Sequence, residues 1–258
     1  MSGQAASEIT FLSLALKAPR LRERASALAE RAREGEWSYE EYLAAVLSEE
    51  VAARESHGGQ ARVKAARFPA VKTHDDFDFA FARSLKREAV LHLHQLDFLA
   101  EHMNVIFLGP PGTGKTHLSI ALGVQAARRG HRVAFASAQQ SVARLAAAKR
   151  QGRLDEEFER IGRIPLIIVD EVGYIPFDPE AAALFFVLVS SRYERSSIIV
   201  SSNKTLSAWA EIFGDAVAVA ALVDRLVHHA EVLVLRGESH RLKGKGKGKE
   251  VLQGDERT

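Results

Sequence analysis

The chain has 258 residues, 47% of them apolar and 26% charged, with a net charge of +2, a composition that suits a soluble globular protein of one domain with an appendage or two small domains. It contains no cysteine, which excludes disulfides and thiolate metal sites and is compatible with a reducing cytoplasm. The small positive balance is not the footprint of a dedicated nucleic-acid binder, and the longest apolar run, 181–189, is far short of the ~20 residues of a membrane span.

The first zone, residues 1–71, reads as a small helical domain. Phe11 to Leu16 is apolar, but Arg20, Arg22 and Arg24 follow, so the run is too short and too charged for a signal peptide. Leu21, Ala25, Leu28 and Ala32 keep helical spacing up to Gly35. Ser38 and Glu41 form a capping-box pattern, with Tyr39, Leu43, Val46 and Leu47 as the stripe behind it. Gly58 and Gly59 are expected to break that helix. A basic element with Arg62, Lys64 and Arg67 follows, stopped by Pro69; it is either a phosphate-contacting surface or a solvated face.

The second zone, residues 72–242, alternates strands and helices. Strands are predicted at 104–108, 132–136, 166–169, 197–201 and 231–235, and helices at 115–129, 139–149 and 180–192, with helical segments through His228. Strands apolar on both faces indicate a parallel sheet covered on both sides. The third zone, residues 243–258, repeats Gly-Lys pairs and has nothing to bury, so it is expected to be disordered.

Between the first strand and the first helix of this zone stands Gly109-Pro110-Pro111-Gly112-Thr113-Gly114-Lys115-Thr116. It fits the P-loop pattern at every fixed position and in the required strand–loop–helix context. Such a loop curls so that its N–H groups face phosphates, and the helix N-terminus behind it favours anions. Lys115 is the point charge for the β- and γ-phosphates, and the Thr116 hydroxyl is a magnesium ligand. The dinucleotide fingerprint is rejected, because His117 stands where it needs a glycine.

The run Leu166–Val169 ends in Asp170 and Glu171. After a P-loop, Asp170 is expected to hold magnesium and Glu171 to polarise the attacking water. The strand ending in Ser201, Ser202 and Asn203 brings Asn203 either to the γ-phosphate or into a turn. Arg225 has three options: pairing with Asp224, pairing with Glu231, or reaching phosphate; Arg241 is equally open. The ten histidines show no ligand constellation and read as solvated helix faces, and the phenylalanines read as core.

Taken together, GPPGTGKTHL at 109–118, DEVGY at 170–174, SSNK at 201–204, DRL at 224–226 with HH at 228–229, and GESHR at 237–241 resemble the IstB-type helper ATPases of insertion-sequence transposons. The AARFP run at 65–69 and Asp76-Phe77-Asp78-Phe79 fit as well. The nearest relatives of that family are the DnaC-type helicase loaders of the AAA+ superfamily, which leaves a helicase loader as the alternative function. The resemblance implies an AAA+ core with sheet order 5-1-4-3-2 and ATP with Mg2+ at the boundaries of a homo-oligomer. Asn203 would be the sensor, Arg225 a finger supplied to the neighbour, and Arg241 a second arginine near phosphate, although His240 replaces the aromatic usual before it. Duplex DNA, bound largely independently of sequence, and a transposase would be the partners.

Overall fold

The computed structural model describes residues 3–82, 84–237 and 239–240; Arg241 and the basic tail expected at 243–258 lie outside them. The chain divides into two compact units, residues 1–61 with 128–130 and the rest.

In the first unit, α1 (Gly3–Ala15) and α2 (Pro19–Glu34) precede α3 (Tyr39–Ala65). Pro19 opens α2, where its missing N–H costs nothing, and Ala25, Leu28 and Ala32 form its buried stripe. The Ser38–Glu41 capping box forms in both directions, at 3.2 and 2.7 Å. The expected break at Gly58 and Gly59 does not occur; α3 runs through both. A Cβ on Gly59 would lie 3.2 Å from the Cα of Arg128, so this glycine permits a close backbone approach, and its helical penalty of ~1 kcal/mol is tolerated.

The second unit begins at Arg62. Its sheet consists of β1 (Asn104–Leu108), β2 (Val133–Ser137), β3 (Leu166–Val172), β4 (Ser197–Ser202) and β5 (Ala230–Val234). All pairings are parallel, in the order β2-β3-β4-β1-β5, the expected order read from the opposite edge. Short helices α4 (Arg87–Leu93) and α5 (Asp97–Ala100) lead into β1, and α6 (Lys115–Arg128) leaves it through the glycine loop. Helices α7 (Ala138–Arg150), α8 (Leu154–Gly162), α9 (Pro179–Arg192), α10 (Ala210–Phe213) and α11 (Ala216–Val227) complete the unit.

Alternation along the strands sorts the core into two layers. Ile106, Ile167, Val169 and Val200 pack with Leu145, Phe185, Leu188 and Leu222 on one face. Val105, Phe107, Ile168 and Ile199 pack with Leu118, Leu122 and Phe98 on the other. Each such side chain contributes about 1.5–3 kcal/mol by leaving water.

One histidine departs from the expected solvated helix face. His94 is buried rather than solvated, its ring 4.3 Å from that of His74. A second buried polar group sits at the end of α9. Arg192 donates to the carbonyls of Ile161, Ile164, Pro165 and Ser197 at 2.8–3.2 Å, tying the end of α8 to the starts of β3 and β4. Burial pulls its pKa down to about 10, so it is still a cation at neutral pH.

Candidate nucleotide site

The C-terminal ends of β1, β3 and β4 converge because β4 pairs with both of the others. At the end of β1 the chain turns through Gly109, Gly112 and Gly114, all at positive φ. All three are required by space as well as by conformation: a Cβ on Gly109 would lie 2.1 Å from the backbone oxygen of Leu235. A Cβ on Gly112 would lie 2.0 Å from Ser239 Oγ, and one on Gly114 would lie 2.5 Å from the Phe77 ring. The loop is held from inside. Lys115 Nζ donates to Gly109 O at 2.6 Å and Pro110 O at 2.8 Å, and Thr113 Oγ1 donates to Pro110 O at 2.9 Å. Pro111 continues the same loop. The ammonium therefore sits buried in the curl of the loop, where a phosphate would draw it outward.

Asp170, also buried, accepts the Thr116 hydroxyl on both carboxylate oxygens, at 3.0 and 2.9 Å. A hydroxyl and a carboxylate held together on facing elements are the hard-oxygen donors that Mg2+ takes, so this donor set fits the ion. A β-bulge between Val169 and Val172 interrupts the β3–β4 register. It places Glu171 at φ 62°, a left-handed conformation uncommon for a residue with a side chain. The Glu171 N–H is satisfied by Ser201 Oγ at 3.0 Å, and the Ser201 hydroxyl itself donates to Asp170. Ser201 was not among the residues expected from sequence, because a serine inside an apolar strand gives no signal of what its neighbour strand carries.

Above the loop lies a cavity of about 390 Å³ that Thr113, Lys115, Thr116, His117 and Glu171 line from one side. Residues of the 69–82 segment, among them Pro69, Phe77 and Phe81, line it as well, together with His240. His117 Nε2 is bonded to Thr73 O at 2.8 Å, and its ring meets Phe77 edge-on at 5.4 Å. Phe81 and His240 make a second edge-to-face pair at 5.0 Å, with His240 Nε2 3.5 Å from Asp78. Asp76 accepts both the hydroxyl and the N–H of Thr73, and these bonds, the hydroxyl foremost, hold its carboxyl below the ordinary range. Phe77 and Phe81, read from sequence as core, thus line a cavity. The only trace of this in the sequence is the Asp76–Phe79 run that contributes to the family resemblance.

Asn203 follows β4 and packs Oδ1 against Gly173; that oxygen is buried without a hydrogen-bond partner among the described residues. Arg225 lies on α11 and pairs with neither Asp224 nor Glu231 among the described residues. Its Nη1 donates to Ala221 O at 3.1 Å, and its guanidinium lies 5.0 Å from the Phe186 ring centroid. Of the basic cluster, Arg62 commits Nε to Ala127 O at 2.9 Å, at the end of α6, whereas Lys64 and Arg67 are exposed.

Comparisons with known proteins agree with this geometry. Residues 12–248 match the family described as IstB-like ATP binding protein. The chain is 44% identical over 240 residues to the IS21 insertion-sequence ATP-binding protein of Pseudomonas aeruginosa, covering 93% of this chain and 91% of that one. It is 38% identical over 230 residues to the IS5376 counterpart of Geobacillus stearothermophilus, covering 89% and 92%. Two solved structures share the fold. The DnaC helicase loader gives a TM-score of 0.50 at 21% identity, covering 67% of this chain and 98% of that one. AMPPCP-bound DnaA from Aquifex aeolicus gives 0.56 at 23%, covering 69% and 54%. The architecture is that of an AAA+ P-loop domain. Among the described residues, no helix is long and apolar enough to cross a membrane.

Proposed function

The chain belongs to the IstB-like ATP-binding protein family of insertion sequences, and from that premise we propose that it hydrolyses ATP to control its own assembly on duplex DNA and delivers that DNA to a transposase. The observation that carries hydrolysis is the relation of Thr116, Asp170 and Glu171. The Thr116 hydroxyl at the end of the P-loop is bonded to the buried Asp170 carboxylate, and the next carboxylate lines the cavity.

In this reading Lys115 exchanges its loop carbonyls for phosphate oxygens, and Thr116 and Asp170 hold Mg2+. The ion, when bound, neutralises charge on the phosphates. Glu171 takes a proton from a water molecule as that water's oxygen bonds to the γ-phosphorus and the bond to the ADP oxygen breaks. Asn203 orients the water with its buried side chain. Arg225 enters from a neighbouring subunit of the homo-oligomer to stabilise charge on the transferred group, and Arg241 adds a second arginine near phosphate. The exposed Lys64 and Arg67 contact DNA phosphates, giving binding that depends on salt more than on sequence. All of this chemistry belongs in the cytoplasm, where ATP and DNA are found. The helicase-loader alternative rests on a shared fold at 21% identity, whereas insertion-sequence ATP-binding proteins match at 44% and 38%.

The test is the ATPase rate with and without duplex DNA, with light scattering followed in parallel. DNA-stimulated turnover together with ATP-dependent assembly is the expected result. ATP binding without turnover under either condition would overturn the hydrolytic reading.

A further inference from the structure

His228 and His229 are adjacent in sequence and have no metal-ligand spacing of their own. The fold adds a third donor. Glu194 stands in the turn between α9 and β4, and the two histidines stand in the turn between α11 and β5. Glu194 Oε1 lies 3.8 Å from His229 Nε2 and 4.0 Å from His228 Nδ1. One ligand atom from each residue falls within 4.8 Å of the others. All three side chains are exposed, so a cation can reach them from solvent. Tyr193 hydrogen-bonds His228 Nδ1 and stacks on its ring at 5.8 Å, which limits where that imidazole can turn. Glu194 itself is at φ 56°, a conformation that a side-chain-bearing residue rarely adopts without a reason in its surroundings.

We propose that Glu194, His228 and His229 bind a transition-metal dication of the zinc class, at a site separate from the nucleotide site. Two imidazoles and a carboxylate are a donor set that Zn2+ takes, with a fourth position left to water. Zn–N and Zn–O distances of about 2.0–2.2 Å put tetrahedral donors a little over 3 Å apart, so small rotations of exposed side chains close the observed separations. The cation displaces the hydrogen bond between Tyr193 and His228.

The site lies at the N-terminal ends of β4 and β5, the sheet end opposite the P-loop. Between those strands runs β1, whose first residue already links the end of α11 and the turn after it to the start of β4. Asn104 N donates to His229 O at 2.7 Å, Asn104 Nδ2 donates to Leu226 O at 3.0 Å, and Asn104 Oδ1 accepts from Ile198 N at 3.0 Å. A bound ion would clamp the two turns around that residue.

The test uses the untagged full chain, stripped of metal and titrated with Zn2+ in millimolar Mg2+, which occupies hard-oxygen donors but competes poorly for imidazole. Calorimetry is the primary readout, and Co2+ substitution followed by visible absorption is the second. One equivalent is expected to bind, with a rise in Tm. His229→Ala and Glu194→Gln should each weaken binding about 10-fold or more, as losing a direct ligand costs at least what losing a supporting partner does. His92→Ala should leave it unchanged, and circular dichroism checks that each variant is folded. No saturable Zn2+ binding by the parent chain, or equal binding by parent, His229→Ala and Glu194→Gln, overturns the proposal.

Discussion

The hydroxyl of Ser201 donates to the carboxylate of Asp170 while accepting the N–H of the next residue along β3, Glu171. One buried serine on β4 therefore fixes both the residue assigned to magnesium and the backbone of the residue assigned to water. Ser201→Ala should lower turnover about 10-fold or more and raise the Mg2+ concentration needed for half-maximal rate, with metal-free ATP binding retained. Ser201→Thr, which keeps the hydroxyl, should restore much of the rate. A Mg2+ titration at saturating ATP separates these outcomes; an unchanged titration for Ser201→Ala would remove Ser201 from the site.

Lys115 and Glu171 should fail in different ways. Lys115→Ala removes the cation buried in the loop and should abolish nucleotide binding. Glu171→Gln should bind normally and lose ~10²-fold or more in rate, the scale of a general base. A fluorescent ATP analogue reads the first effect and phosphate release the second. Near-normal phosphate release by Glu171→Gln would contradict its role.

Gly114 is constrained twice, by a φ of 102° and by the Phe77 ring. Gly114→Ala should therefore lose nucleotide affinity even when Phe77→Leu makes room, because the backbone strain persists. Recovery of binding in the double variant would show that only the ring contact matters.

Arg225 tests the oligomer. Arg225→Ala should bind ATP yet hydrolyse it poorly, with a loss of ~10³-fold or more for a finger supplied in trans. Mixed with Glu171→Gln it should regain activity, since one variant keeps the water site and the other keeps the finger. A co-assembled but inactive mixture would leave Arg225 as a structural residue capping Ala221 and stacking on Phe186.

Arg192 concerns stability alone. Arg192→Met would leave four carbonyls in the interior without their donor, and hydrogen bonds to a charged donor are worth about 1.5–3 kcal/mol each. Urea unfolding should show a loss of at least ~3 kcal/mol. A smaller loss would mean that water reaches those carbonyls in the variant.

Legibility followed the range of the interactions. The P-loop and the strand before Asp170 could be read directly, because fixed residue types at fixed spacing are a local property. The strand order entered through the family resemblance; local pattern alone implied only a parallel sheet. The third strand was predicted to stop at Val169 yet extends to Val172, since the bulge puts two acids where an apolar alternation was being followed. Helix α8 went unpredicted, with Gly152 before it and an acid-rich first turn that resembles a loop. The break assigned to Gly58 and Gly59 failed because a glycine's packing partner is invisible in sequence. The same holds for Phe77 and Phe81, whose place in a cavity wall depends on a loop some thirty-five residues away, and for Glu194, which meets its histidines only through the fold.

The backbone of His240 donates to Gly112 O at 3.0 Å, and Ser239 faces the same glycine. Position 239 is therefore a natural place from which to watch the phosphate loop. The chain has no cysteine, so Ser239→Cys would carry a unique thiol for a fluorophore or spin label. Such a probe would report in real time whether the loop holds nucleotide. The same adjacency leaves no room for a bulky insertion into the chain at this position without disturbing the loop.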